Sequence, residues 1–293
     1  MPGTLEDDRR QRDVTWHHRD MTEQAERYDR ISAGYERWWA PVLRPSTAAL
    51  LDLLAPSLAA PGAVALDVGA GTGNLTLAAL ARWPGLRVTA VDVSSEMLAV
   101  LAGTADERLA DGRARLETRS APAAELPAAD ASYDVAMASF VLQLVPNRAK
   151  ALREIRRVLR PGGRIGHVTW LEDRRPFAPD RIFDELLGEA GYDEEPADAR
   201  HGDIPSVATA ASELRHAGFR AVTAEPGELA YAFSVESYLG FLTEFDEETL
   251  FEEMRRSERH RFLARLRERL MALPHDGLTF RAPIVYVTGR RSR

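Results

Sequence analysis

The chain has 293 residues, 45% of them apolar and 28% charged, with a formal net charge of -7 and no cysteine. That length and apolar share support one large domain with room for an insertion. The acidic balance, with no concentrated basic face, argues against a nucleic-acid partner, and the missing cysteine excludes disulfides, thiolate catalysis and cysteine metal sites.

No run is long and apolar enough to span a bilayer, and the charged N-terminus is unlike a signal peptide, so a cytoplasmic protein without a membrane partner is expected. Residues 1–20 are polar and of mixed charge and read as a flexible tail. Residues 21–58 read as an N-terminal helical lid. Tyr28, Ile31, Tyr35 and Trp38 recur at helical spacing, with Trp39 beside them, which predicts a helix or helix pair over about 22–40. Pro41 and Pro45 are expected to break it, and a second helix over 46–58 leads into the first strand.

Residues 64–74 read Val-Ala-Leu-Asp-Val-Gly-Ala-Gly-Thr-Gly-Asn. An apolar run ends in an acid, glycines follow at alternate positions, and an apolar helical pattern starts at Leu75. This predicts a buried strand, a tight turn and a helix N-terminus, whose unpaired N–H groups suit negative ligand oxygens. A nicotinamide fingerprint spaces its glycines G-x-G-x-x-G. Here Gly69, Gly71 and Gly73 make G-x-G-x-G, and Asn74 stands where that third glycine would be. A carboxylate at Asp67 is awkward beside a pyrophosphate and suits a ligand with a positive end. No Gly-Lys-Ser/Thr follows, which excludes a P-loop.

Further on, Arg87–Asp92 reads as a second strand ending in an acid, and Ser94 or Ser95 as the cap of the next helix. A third strand ends near Ser120, before Ala121-Pro122-Ala123-Ala124. Tyr133–Ser139 reads as a fourth strand, and Val158-Leu159-Arg160-Pro161-Gly162-Gly163 as a helix-to-strand turn in which Pro161 stops the helix and the glycines reverse the chain.

The arrangement Asp67-x-Gly69-x-Gly71-x-Gly73 resembles the first motif of the class I S-adenosylmethionine-dependent methyltransferases. The later segments match that family in order and spacing over about residues 60–170. The resemblance implies a Rossmann-like, doubly wound α/β sheet of seven strands with an antiparallel last strand. It implies S-adenosyl-L-methionine as cofactor and S-adenosyl-L-homocysteine as product. The glycine loop, including Ala70 and Asn74, would wrap the methionine part, with Asp67 near its amino group. Asp92 would hold the ribose hydroxyls, and Val93 and Met97 would face the adenine. Many relatives place Asp or Asn after the third strand to bond the adenine amino group. This chain has Ala121 there, which leaves backbone groups or Ser120. Ser139 and Phe140 complete the implied cofactor set at the end of the fourth strand.

Methyl transfer needs the acceptor held in line with the methyl–sulfur bond, and needs a base only if the acceptor carries a proton of high pKa. Gln143 can orient a polar group but takes no proton at neutral pH. We expect a small, partly apolar acceptor oriented by Gln143 between aromatic walls, on its oxygen, nitrogen or carbon. The N-terminal segment resembles those of quinone-biosynthesis and natural-product methyltransferases, which suggests secondary metabolism. Tyr28 would reach the cofactor carboxylate, and Tyr35 and Trp39 would wall the acceptor pocket. The rival reading of these aromatics is plain core packing. Two other readings of the whole chain are an NAD(P)-dependent oxidoreductase and a non-catalytic S-adenosylmethionine-binding protein.

His167 falls inside the fifth strand and reads as a satisfied core or edge residue. His17 and His18 sit on the tail, and His201 and His216 in the region after Trp170. No pair has metal spacing, so no metal is expected. Residues 59–232 are expected to form the core, with one helix near 179–190, a helix ending at Gly218 and a strand over about 219–232. Residues 233–274 read as an inserted cap, helical throughout over 235–273, with Leu250, Phe251, Met254, Phe262, Leu266 and Leu270 on one apolar stripe. It would cover the acceptor site or form a homodimer surface. Arg255, Arg256, Arg259 and Arg265 read as its solvated face. Residues 275–293 hold the final strand, Thr279 to Thr288, and a basic tail.

Overall fold

The computed structural model describes residues 25–173, 175–192 and 203–293. The expected tail over 1–20, with His17 and His18, and also His201, lies outside them. In chain order the helices are α1 (25–34), α2 (Ala40–Leu58), α3 (Asn74–Arg82), α4 (Ser95–Arg108), α5 (Gly112–Arg115), α6 (Arg148–Val158), α7 (Ala178–Ala190), α8 (Val207–His216), α9 (Val235–Phe241), α10 (Glu248–Glu253) and α11 (Arg256–Met271). Strands β1 (Val64–Val68), β2 (Arg87–Asp92), β3 (Leu116–Ser120), β4 (Tyr133–Ser139), β5 (Leu159–Trp170), β6 (Phe219–Ala232) and β7 (Thr279–Arg291) form one sheet in the order β3-β2-β1-β4-β5-β7-β6.

The first five strands are parallel, and β7 runs antiparallel to both β5 and β6. Side chains alternate between two buried clusters. Ala65, Ala90, Val135 and Met137 pack on one face, and Leu66, Val68, Val91, Ala136 and Ala138 on the other. Burial on both faces is why β1 and β4 read as near-continuous apolar runs. This is the expected Rossmann-like sheet with its antiparallel last strand. Strand order reverses between β1 and β4, so the carboxyl ends of β1, β2 and β4 open onto one crevice.

The break expected at Pro41 and Pro45 does not occur. Helix α1 runs through a π turn, Tyr35–Trp39, straight into α2, and the Ala40 N–H bonds the Tyr35 carbonyl across it. Pro41 falls in the first turn of α2, where its missing N–H is tolerated. Pro45 is inside α2, and a mid-helix proline costs about 3 kcal/mol. Val42, Leu43, Leu50, Leu51, Leu54 and Leu58 are all buried along the same helix, and at roughly 1.5–3 kcal/mol for each buried side chain that face outweighs the defect. The turn expected over 158–163 is also different. Helix α6 ends at Val158 and β5 begins at Leu159, so Pro161, Gly162 and Gly163 lie within the strand, beside a register shift between Tyr133 and Val135.

The insertion between β6 and β7 is helical, but not throughout. After α9 comes a second π turn, Leu242–Asp246; then come α10, an extended Met254–Arg255 and α11. Glu244, Asp246, Glu247 and Glu248 crowd the end of the first segment, where the helix dipole disfavours negative charge. Phe251, Met254, Phe262, Leu266 and Leu270 are buried as a stripe, while Leu250 is only partly covered. Arg265 and Arg269 of α11 pair with Glu189 of α7, and Arg267 with Glu236 of α9.

The two π turns pack on each other. A Cβ on Gly34 would run into the Glu244 carbonyl, and one on Gly240 into the Trp38 ring. Trp38 Nε1 donates to Glu244 Oε2 at 2.6 Å. The N-terminal helices and the insertion between β6 and β7 therefore pack closely against each other.

Candidate functional site

The glycine turn hangs from the neighbouring strand. The N–H groups of Gly69 and Ala70 both donate to the Val91 carbonyl, at 2.7 and 3.0 Å. Gly69, Gly71 and Gly73 take φ of 68, 53 and 96°, the left-handed region that side chains disfavour. Space separates their tasks. A Cβ on Gly69 would strike Val141, and one on Gly73 would strike Leu101; the nearest atoms to one on Gly71 are those of Tyr35, at 3.9 Å. Gly71 is thus the one of the three whose Cβ position faces open space.

That space is a cavity of about 190 Å3 over the carboxyl ends of β1, β2 and β4. Gly69, Gly71, Asp92, Val93, Met97 and residues 121–124 border it, together with the rings of Tyr35, Trp39, Phe140 and Trp170. Asp92 Oδ2 accepts from the Gly71 N–H at 2.8 Å and Oδ1 from the Ser94 N–H at 3.0 Å. Burial raises its pKa above the ordinary carboxylate range, against those backbone donors. Ser94 caps α4, its hydroxyl accepting from the Met97 N–H at 3.0 Å. The same hydroxyl donates to Asp29 Oδ1 of α1 at 2.6 Å, and the Glu96 N–H reaches that oxygen at 3.2 Å. Asp29 thereby fastens α1 to the start of α4.

Twelve residues singled out from the sequence meet at this cavity: Tyr28, Tyr35, Trp39, Gly69, Gly71, Asp92, Val93, Met97, Ala121, Ser139, Phe140 and Gln143. Tyr28 and Tyr35 meet edge to face at 6.4 Å. Burial pushes both phenols above their ordinary pKa, so both stay neutral. Phe140 takes a left-handed φ of 53°, rare for a bulky residue. Its N–H bonds the Val168 carbonyl at 2.9 Å, and its ring lies 4.2 Å from that of Trp170. Gln143 Oε1 accepts from the Thr169 hydroxyl at 2.8 Å, which leaves its NH2 end for a ligand.

Asp67, Ala70, Gly73, Asn74 and Ser120 lie outside the cavity wall. Asp67 sits beneath the turn, 1% exposed. One oxygen accepts from the Thr76 hydroxyl at 2.6 Å, and Oδ1 has no partner among the described residues. Burial pushes its pKa up to about 7, opposed by the Thr76 hydrogen bond and reinforced by the charge of Asp92. Asn74 ties α3 to α2, donating to the Ala40 carbonyl at 2.7 Å. The Ser120 hydroxyl donates to the Val93 carbonyl at 3.2 Å. His167 is a core residue but not a fully satisfied one: Nδ1 has no partner among the described residues, and burial lowers its pKa to about 4. No group of three His, Asp or Glu among the described residues is placed to hold a metal ion.

Sequence reasoning missed Asp29, Thr169 and Trp170. Trp170 borders the cavity, as does Leu144 of the stretch after the fourth strand. Only the aromatic character of Trp170, at the end of a strand, could have flagged one of the three.

A family model described as a methyltransferase domain matches residues 66–166. A ubiquinone/menaquinone biosynthesis C-methyltransferase of Paracoccus denitrificans is 32% identical over 201 residues, which span 65% of this chain and 76% of that protein. The chain belongs to the class I S-adenosylmethionine-dependent methyltransferases. Its methyl donor is S-adenosylmethionine and its acceptor a small molecule, which sets aside the nicotinamide reading. A counterpart in Brucella anthropi is 38% identical over 159 residues, 54% of this chain and 56% of that one. Among solved structures, the YcgJ protein of Bacillus subtilis superposes with a TM-score of 0.56 at 19% identity, covering 84% of this chain and 99% of that one, and so shares the fold.

The methyltransferase cavity fits its donor chemically. It offers an open glycine turn, one carboxylate with lone pairs to spare for hydroxyls, and an apolar slot beside it.

Proposed function

We propose that this methyltransferase acts on a small, flat, largely apolar acceptor held against the aromatic part of the cavity wall. The observation that carries this reading is the make-up of the wall. Beside its single carboxylate, Asp92, it holds the packed rings of Trp39, Phe140 and Trp170, and Gln143 is tied to Thr169 next to Trp170. Gly71 lets the backbone approach the donor, Asp92 takes its vicinal hydroxyls, and Val93 and Met97 flank its base. Bound there, S-adenosylmethionine supplies a methyl group on a positively charged sulfur.

The chain's own residues do the rest. The packed rings of Trp39, Phe140 and Trp170 present an apolar face to the acceptor and keep water out. The Gln143 amide, held by Thr169, orients one polar substituent, so that the accepting atom is aligned for in-line attack. Tyr28 and Tyr35 cover the donor as part of the lid. Asp92 is the only carboxylate in the described wall, and it holds the donor. The acceptor therefore needs a nucleophile that works without a side-chain base: an electron-rich ring carbon, an amine or an acidic phenol. The Paracoccus and Brucella relatives are both C-methyltransferases of quinone biosynthesis, which supports a ring carbon. The net negative charge supports a small metabolite over nucleic acid as substrate.

The test is methyl transfer from labelled S-adenosylmethionine to a panel of hydroxylated aromatic rings and of charged aliphatic amines. Turnover is expected on the rings. Turnover confined to the charged amines would refute the acceptor class. Stabilisation by S-adenosylhomocysteine but no turnover on any acceptor would favour a non-catalytic binding protein.

A further inference from the structure

The wall beyond Asp92 consists of Val93, Met97, Ala121, Pro122, Ala123 and Ala124. None of these side chains carries a nitrogen or oxygen that can hydrogen-bond. The polar side chains next to them are turned to other work. The Ser120 hydroxyl bonds the Val93 carbonyl at 3.2 Å, and Glu125 pairs with Lys150 at 2.8 Å on the surface. The backbone is partly committed as well. The Ala121 N–H donates to the Asp92 carbonyl at 2.9 Å, and the Glu125 N–H to the Pro122 carbonyl at 3.0 Å. Pro122 has no N–H to give. Among the described residues this leaves the N–H groups of Ala123 and Ala124 as the donors of the segment.

With the sugar hydroxyls on Asp92, as proposed above, the base of the cofactor falls against this wall. Adenine presents an NH2 donor at its six position and an acceptor at N1. Hypoxanthine presents an acceptor at the six position and a donor at N1. Backbone N–H groups suit N1 of the first and the six-oxygen of the second alike. No side chain of the wall accepts a bond from the six-amino group.

We infer that this methyltransferase holds the base of its cofactor mainly by shape and apolar contact, with no side chain reading the six-amino group. Sites that hydrogen-bond a substrate group reject analogues lacking it by roughly 10^4–10^5, whereas a pocket that only matches shape discriminates far less. The base subsite of this chain belongs to the second kind.

The experiment is titration calorimetry on the full chain with S-adenosyl-L-homocysteine and with its 6-oxo analogue, S-inosyl-L-homocysteine. The two dissociation constants are expected to differ by less than tenfold; a difference of tenfold or more would overturn the inference. If S-adenosylhomocysteine itself fails to bind, the cofactor placement falls and takes the inference with it. A variant tests the wall directly. Pro122→Asp supplies an acceptor for the amino group and a repulsion for the six-oxygen, and should raise the ratio to about tenfold or more. A ratio unchanged in P122D would show that the base lies elsewhere.

Discussion

Substituting alanine at each glycine of the turn should separate structural from ligand-holding glycines. All three have positive φ, so each alanine pays a left-handed penalty of about 1–2 kcal/mol. At Gly73 the new methyl also meets Leu101, itself fully buried, and at Gly69 it meets Val141. Overpacking of that kind adds about 1–3 kcal/mol. G69A and G73A should therefore lose about 2–5 kcal/mol of stability, a large share of the roughly 5–15 kcal/mol typical of a folded domain. At Gly71 the methyl enters the cavity, 3.9 Å from Tyr35, so G71A should lose only the conformational term. The cofactor would have to share that space, and its affinity should fall by about tenfold or more, equivalent to about 1.4 kcal/mol. Urea unfolding gives the first quantity, and calorimetric titration with S-adenosylhomocysteine the second. Wild-type affinity in G71A would refute the assignment of Gly71 to the donor, and wild-type stability in G73A would refute the packing argument.

Other outcomes follow from neighbouring groups. Gln143→Ala should lower turnover on the true acceptor while leaving S-adenosylhomocysteine affinity within a few fold. Thr169→Val, which frees the Gln143 oxygen, should do the same to a smaller extent; unchanged kcat in both would remove Gln143 from the acceptor site. Asp29→Ala strips a cap from α4 and a fastening from α1, and should cost about 1 kcal/mol in urea unfolding and weaken cofactor binding. His167 and Asp67 tilt the pH profile in opposite senses. The folded-state pKa of His167 is depressed to about 4, so its contribution to stability is lost as pH falls from its unfolded value through about 4, and His167→Gln should flatten that limb. The folded-state pKa of Asp67 is raised to about 7, so its contribution declines as pH rises towards about 7. The stability of Asp67→Asn relative to wild type should grow over that window, as read by unfolding at a series of pH values.

The parallel core was legible because its signals are local. Val64–Val68 and Tyr133–Ser139 are apolar runs, and the glycine turn sits between two acids that end strands. The hairpin of β6 and β7 could also be read across its long insertion. The details that depend on tertiary packing could not. Nothing in the residues around Pro45 announces that six buried side chains carry α2 through it. The two π turns lie where the N-terminal helices and the insertion meet at Gly34 and Gly240, a contact between segments some two hundred residues apart. The depth of Asp67 likewise depends on Thr76 and the turn above it, so a carboxylate read as facing the ligand lies under the floor. Asp29 looks like any surface acid until α1 is laid against Ser94.

One consequence follows from the position of β7. The latest strand in sequence is an interior one, wedged between β5 and β6. As the polypeptide leaves the ribosome, β5 must wait with a bare edge while the whole cap is translated, and neither hairpin partner can zip up before Thr279–Arg291 emerges. Nascent chains should stay dependent on holdase chaperones until then, and a premature stop just past the cap should yield aggregates rather than a shortened enzyme, although every cavity residue would already have been made.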